Sequence, residues 1–214
     1  MRRNCSAVQF SVAHAAIWGL VSDVHGNLDA LARALALLQG AGATRLAFLG
    51  DYLGRGDSDA CVDRIKQVAD VAVVGNRDLD WQDRVSAETR AWVLSLPRSA
   101  CTNGLLLAHG DARLTPPLST SQINRSFART WTEMDRVNAR VFAFGHSHHA
   151  RIWRKADAVS LEALEQDCVG MLDPYRYIVN VGTTGLPFPG KGGPSVALVD
   201  FDHMRIRQLA LDRE

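Results

Sequence analysis

The sequence predicts a layered α/β domain, on three observations. Six short apolar runs, "IWGLVSD", "RLAFLGD", "VAVVGNRD", "GLLLAHGD", "VFAFGHSHH" and "YIVNVGTTG", each stop in small or polar residues. Runs of this length, rich in Val, Leu, Ile and Phe and ended by Gly, read as strands buried on both faces. Helical patterns fill the intervals, so strand and helix alternate through the first two thirds of the chain. Five of the six runs also end in a residue of metal-ligand type, and in layered α/β sheets ligands gather at the carboxyl ends of the strands.

Taken in order, the first run starts at Ile17, after an extension that carries Arg2, Arg3 and the small-residue run Ala13-His14-Ala15-Ala16. Gln9, Ser11 and His14 interrupt its apolar stretch, so a secretory leader is not expected and the expected location is the cytoplasm. Leu28, Leu31, Leu35 and Leu38 then repeat at three and four residues before Gly40, the pattern of an amphipathic helix with a glycine stop. Val62, Ile65 and Val68 predict a shorter one. A third helix is expected over about residues 83–96, before Pro97, and a fourth over about 121–138 with Ile123, Phe127, Trp131 and Met134 on one face. Beyond Ala150 the pattern loosens into either antiparallel strands or a strand and a helix. The Gly/Pro-rich "GTTGLPFPGKGGP" is a loop, and "SVALVDFD" followed by "MRIRQLAL" predicts a closing hairpin. No repeat or linker divides the chain, so residues 1–214 are read as one domain with residues 1–16 as an N-terminal extension.

Composition narrows the function classes. Hydrophobic residues make up 47% and charged residues 22% of the 214, enough apolar side chain for a core of single-domain size. The formal net charge is +1 with Lys and Arg scattered, so no basic stripe points to a polynucleotide partner. No segment has the unbroken apolar length of a membrane span. Cys5, Cys61, Cys101 and Cys168 stand far apart without a C-x-x-C pair, which argues against a zinc ribbon and for free thiols in a reducing compartment.

What remains is the set of residues at the strand ends: Asp23, His25, Asp51, Asn76, His109, His146 and His148. Side chains two apart in an extended segment point the same way, so Asp23 with His25, and His146 with His148, are expected to approach one locus as pairs. Seven N/O donors exceed one tetrahedral zinc but suit two ions that share a carboxylate. Each piece has a plainer reading when taken singly. A D-x-H is commonly a turn, Asp51 a helix cap, Asn76 a turn residue, and His109 a strand-end histidine. Order and placement together carry the inference.

"SDVHGN", "GDYLGRG", "GNRD", "LLLAHGD" and "FGHSHH", in this order, resemble the five signature blocks of the calcineurin-like metallophosphoesterase superfamily, in particular its small bacterial YfcE-like and diadenosine-tetraphosphatase-like members. The resemblance runs from about Ile17 to Gly190. It implies a four-layer α/β/β/α sandwich of two mixed sheets with a dinuclear site between their ends. It further implies Asp23, His25 and His148 on one metal, Asn76, His109 and His146 on the other, and Asp51 between them. Imidazoles and carboxylates suit Mn, Fe, Ni or Zn, and the neutral Asn76 limits negative charge that would repel a phosphate. A hydroxide held between two such ions would attack phosphorus in line.

The pattern departs from the family at Arg77, where many members have a His assigned to the transition state or the leaving oxygen. Arg stays charged at working pH, so Arg77 would clamp a phosphate oxygen without acting as a general acid. The expected rescue is either a leaving group that needs no proton or a proton from His149; the plain reading makes Arg77 an ion-pair partner of Asp78. Arg55 resembles a phosphate-contacting Arg of protein phosphatases. Asn27 stands where a phosphate contact would sit, or caps the Leu28 helix. "NVGTTG" resembles an Asn-Pro-Gly-Ser block with Val181 and Thr183 substituted. His14 and His203 lie outside every block and read as solvated.

Together these predict a metal-dependent hydrolase of phosphate esters, a phosphodiesterase or nucleotide phosphatase acting on a small phosphorylated substrate. Two alternatives are a protein-binding scaffold of the same fold, as one retromer subunit is, and a nuclease on small oligonucleotides.

Overall fold

The computed structural model describes residues 16–110, 128–155 and 161–211. All six apolar runs form strands, within a set of twelve among the described residues. They are β1 (Ile17–Val21), β2 (Arg45–Phe48), β3 (Val71–Ala72), β4 (Ser99–Thr102), β5 (Leu105–Ala108), β6 (Val141–Phe144), β7 (Arg151–Lys155), β8 (Leu161–Leu164), β9 (Cys168–Gly170), β10 (Arg176–Asn180), β11 (Ser195–Asp200) and β12 (Arg205–Ala210). The uncertain stretch after Ala150 resolves as antiparallel strands, and the closing hairpin pairs Asp200 with Arg205. One sheet runs β3-β2-β1-β11-β12-β9 and the other β4-β5-β6-β10-β7-β8. Both are mixed: β1, β2 and β3 are parallel, as are β5, β6 and β10, with antiparallel strands at the flanks.

Strand periodicity of two sorts side chains into three cores. Leu20, Ala47, Leu105, Leu107, Val141, Ala143, Val179 and Val199 pack between the sheets. Their neighbours face outward: Val21, Phe48, Val196 and Leu198 go to one set of helices, and Leu106, Phe142, Phe144 and Ile178 to Met134 on the other side. The molecule is therefore an α/β/β/α sandwich, and the near-continuous apolar runs exist because both faces of each sheet are covered.

The helices follow the apolar spacing. Helix α1 (Leu28–Gly40) buries Leu31 and Leu38 completely, each worth about 1.5–3 kcal/mol of burial. Helix α2 (Ser58–Val68) buries Val62 and Ile65. A five-residue helix, α3 (Asn76–Asp80), was not legible in the sequence. The third predicted helix is shorter than expected, α4 (Ala87–Ser95), preceded by a 3-10 turn over Gln82–Arg84. Ser86 separates them, because its hydroxyl accepts from the Thr89 N–H at 3.2 Å while its own N–H and hydroxyl donate to Asp59. Helix α5 (Ala128–Arg136) matches the second half of the fourth prediction; residues 121–127, with Ile123 and Phe127, lie outside the described residues.

At the carboxyl ends of β2 and β3, Tyr52 acts as a buried clasp. Its hydroxyl lies 2.6 Å from the Val73 carbonyl and 3.0 Å from that of Phe48, and accepts from the Gly50 N–H at 3.1 Å. Burial, with the Asp78 charge, pushes this phenol well above its ordinary range, so it keeps the proton it donates. The clasp fixes the loop that carries Asp51.

Candidate active site

The seven predicted donors meet at one mouth of the sandwich, between the ends of the two sheets, where the family resemblance puts them. Asp23 and His25 follow β1, Asp51 follows β2 and Asn76 opens α3 after β3, all from the first sheet; His109, His146 and His148 follow β5 and β6 of the second. Two clusters form, Asp23–His25–His148 and Asp51–His109–His146, each with its ligand-type atoms within 4.8 Å of one another. Asn76 joins the second, its side-chain oxygen 3.2 Å from His109 Nε2. Asp51 Oδ2 stands between the two, 3.3 Å from His109 Nε2 and 3.8 Å from His25 Nε2.

The route by which the pairs converge differs from the extended-chain expectation. Asp23, His25, Asp51, His146 and His148 have φ of 56, 51, 56, 66 and 56°. Left-handed backbone at five non-glycine residues costs roughly 1–3 kcal/mol each and persists only where the surroundings fix it. These residues are in turns, not strands, so His146 and His148 do not share a locus: they go to different clusters. Their spacing of two serves to deliver one imidazole to each.

Close approach by glycine makes room for these turns. A Cβ on Gly75 would stand 2.2 Å from Asp51 Oδ1, and one on Gly145 would stand 1.9 Å from Ser22 Oγ and 2.3 Å from Asp23 Oδ2. Gly185 N–H and Thr184 N–H donate to the carbonyls of Asp23 and Ser22, and Thr183 Oγ1 donates to Asp23 O at 3.0 Å. Asn180 Nδ2 donates to Ser147 Oγ at 2.5 Å. The "NVGTTG" loop thus buttresses both metal-type turns.

Hydrogen bonds then aim each ligand. Asp23 Oδ2 accepts from the Ser22 hydroxyl at 2.6 Å and the His146 N–H at 2.9 Å. Asp23 Oδ1 is buried without a hydrogen bond, and the Nε2 atoms of His148 and His25 lie 3.0 and 3.6 Å away. The Nδ1 atoms of His109, His148 and His25 face the carbonyls of Leu49, Leu186 and Leu53 at 2.7, 2.6 and 3.4 Å. A carbonyl only accepts, so in the neutral rings the hydrogen is on Nδ1 and the Nε2 lone pair points inward. Two such nitrogens, on His25 and His148, lie 3.2 Å apart. Facing lone pairs, an orphaned carboxylate oxygen and a hydrogen-bonded outer layer fit divalent cations.

The electrostatics agree. Burial works against a charged His109, yet Asp51 and Asp23 overcome it and carry the ring up to about 10. His25 is raised too, against burial, by Asp23 and Asp51. Burial raises Asp23, but His109, His148 and His25 outweigh it and hold the carboxyl well below its usual range. A field that draws protons onto imidazoles draws cations for the same reason.

Asp78 organises the site in a way that its sequence position did not reveal. It is fully buried and does not pair with Arg77, whose nearest carboxylate is the exposed Asp80 at 3.9 Å. Asp78 Oδ1 accepts from the N–H groups of Tyr52 and Leu53 at 2.7 and 3.1 Å, and Oδ2 from those of Gly75 and Asp51 at 2.8 and 3.0 Å. Burial first, then the Asp51 charge, pushes its carboxyl up to about 6. Its place in "GNRD" was visible, but a carboxylate serving backbone donors has no spacing signature.

The remaining candidates surround the centre. Arg77 is exposed, and its N–H donates to Asp51 Oδ1 at 2.7 Å. His149 is half-buried and held below its ordinary value by burial, Arg151 and Lys191. Exposed Arg55 lines a cavity of about 270 Å³ with Gly54, Trp81 and Arg84. Asn27 caps α1 through the Ala30 N–H at 3.0 Å, and its amide nitrogen donates to Gly185 O at 3.1 Å. His203 is solvated beside Asp200, while His14 lies outside the described residues. A cavity of about 630 Å³ at the opposite end of the sandwich, lined by Trp18, Arg45 and Asp70, holds none of the donors.

Two adjoining donor clusters at the mouth of an α/β/β/α sandwich define a metal-dependent hydrolase site of the phosphoesterase kind. Residues 17–204 match the calcineurin-like phosphoesterase superfamily domain, and the chain belongs to that family, whose members depend on divalent metals. An uncharacterized protein of Methanocaldococcus jannaschii, MJ0912, is 25% identical over 207 residues, covering 87% of this chain and 84% of its own. Among solved structures, a metallophosphoesterase from Sphaerobacter thermophilus superposes with a TM-score of 0.74 at 23% identity, over 94% of this chain and 90% of its own. An archaeal phosphodiesterase shares the fold with a TM-score of 0.55 at 13% identity, over 91% and 99% of the two chains. No helix among the described residues is long and apolar enough to cross a membrane.

Proposed function

We propose that this protein is a dinuclear metal-dependent hydrolase of small phosphate esters, a phosphodiesterase or nucleotide phosphatase, working in the cytosol. The observation that carries the reading is Asp51 Oδ2, placed between imidazoles of both clusters. Asp23, His25 and His148 would hold one ion, Asn76, His109 and His146 the other, with Asp51 shared. Manganese, iron, nickel and zinc all suit this donor set. When bound, a pair of such cations would neutralise phosphate charge and supply a water-derived nucleophile near neutral pH. The chain's own residues supply the rest. Carbonyls of Leu49, Leu53 and Leu186 hold the imidazoles in the ligating tautomer. Arg77, whose backbone N–H meets Asp51, would clamp a phosphate oxygen, and Arg55 would meet a more distant one. A weakly basic leaving oxygen would need no proton from the chain; His149 would be the alternative source of one.

Chelation followed by add-back tests this reading against a scaffold of the same fold. Chelated protein should be inactive on aryl phosphate mono- and diesters and regain turnover with Mn, Ni or Zn. Protein that takes up no metal and stays inert would be a scaffold. A second expectation concerns Arg77: Arg77→His should raise rates on esters with basic leaving groups by about tenfold or more, because it adds a titratable acid. Rates equal to wild type on those esters would assign the proton to His149.

A further inference from the structure

Among the described residues, five large hydrophobic side chains are exposed, and two of them, Leu186 (40%) and Phe188 (43%), lie on a single turn beside the donor clusters. That turn is bound to the centre at both ends. The Leu186 carbonyl accepts from His148 Nδ1 at 2.6 Å, and the Phe188 ring stacks on the His148 ring at 4.5 Å and 17°. Lys191 closes it: its N–H donates to the Phe188 carbonyl at 3.1 Å, its ammonium donates to the Ser147 carbonyl at 3.1 Å, and that ammonium lies 5.5 Å from the Phe188 ring centroid. Ser147 is the residue between the two imidazole donors, so the cation is held against the ligand loop itself. Burial does not require a Phe here, since over two fifths of the residue's surface is in water. Pro187 and Pro189 on either side of Phe188 restrict the backbone, which keeps the ring where His148 meets it.

An apolar ring, an apolar neighbour and an ammonium within one turn match one kind of substrate. The negative oxygens of a phosphate ester would lie toward the donor clusters and Lys191, and a flat apolar substituent on the phosphate would lie against Phe188 and Leu186. We infer that the Leu186–Lys191 turn is the specificity wall of the site, with Phe188 the contact that favours phosphate esters carrying an aromatic group, a phenyl ring or a nucleobase. The inference rests on the phosphoesterase reading above and adds the class of organic group that the site selects.

Titration calorimetry of metal-loaded protein with methylphosphonate and phenylphosphonate tests it, because the two ligands share the anionic end and differ only in the substituent. Wild type should prefer phenylphosphonate by about fivefold to tenfold. Phe188→Ala should abolish that preference while leaving methylphosphonate affinity and metal content unchanged, and Phe188→Leu, which keeps apolar bulk, should lose most of it. Lys191→Gln should weaken both ligands alike. AMP against ribose 5-phosphate asks the same question of a nucleobase: a preference lost there assigns the wall to nucleotides, and one lost with the phosphonates only assigns it to aryl esters. A preference that survives Phe188→Ala in both pairs overturns the inference, as does a variant that loses metal and both ligands equally, which would make Phe188 a prop for His148. Wild type that carries metal but binds neither phosphonate and hydrolyses no ester would refute the phosphoesterase reading instead.

Discussion

Asp51→Asn protein is expected to fold, to lose more than about a hundredfold in affinity for both ions, and to show no measurable turnover; loss of an outer-layer partner alone costs about 10–100-fold, and in the proposed function Asp51 is an inner donor. The substitution is nearly isosteric, so the Oδ1 contact with the Arg77 N–H at 2.7 Å can be kept while the shared anionic oxygen is replaced by an amide. An amide cannot serve two cations. Because Asp51 Oδ2 faces His25 in one cluster and His109 in the other, both occupancies should fall together. Metal analysis and ester hydrolysis on the same preparation check this. Loss of one ion with the other retained would place Asp51 in a single cluster.

Asp78→Ala should have the largest effect on stability. Four backbone N–H groups, of Asp51, Tyr52, Leu53 and Gly75, converge on its two oxygens inside the protein. Truncation strands buried donors at about 1–3 kcal/mol each; relief of a buried charge offsets part of this, leaving an expected loss of about 3 kcal/mol or more in denaturant unfolding. The same change frees the Asp51 loop and the Gly75–Asn76 turn, so metal affinity should fall even in the folded fraction. Asp78→Asn retains one acceptor oxygen and should lie between. A variant with wild-type stability would mean that water replaces the carboxylate at no cost.

Much of this was legible in the sequence, for identifiable reasons. Apolar runs such as "RLAFLGD" declare a strand because both faces are buried, and Leu31 and Leu38 declare α1 through spacing. The donor positions were legible because imidazole and carboxylate at strand ends have few packing roles. Which sheet each strand joins was not: "RLAFLGD" and "VFAFGHSHH" have the same pattern, yet β2 and β6 lie in different sheets. Nor does residue type reveal that Asp23 or His148 has positive φ, since that conformation is imposed by contacts such as Thr183 with the Asp23 carbonyl, 160 residues away in sequence. Helix α3 has only five residues, too few for a period, and the edge strand β4, "SACT", has no apolar run. Asp78 and Phe188 escaped notice because their parts are played through backbone donors and a neighbouring ring. The irregular stretch "DARLTPPLSTSQ", whose composition leads to the expectation of a specificity loop, lies outside the described residues.

Metal stoichiometry under saturating Mn, read by elemental analysis and by electron paramagnetic resonance of the same sample, tests the paired-cluster claim most directly. Two ions per chain with the spectrum of a magnetically coupled pair is the predicted result. One ion per chain at saturation, or two that show no coupling, would contradict it.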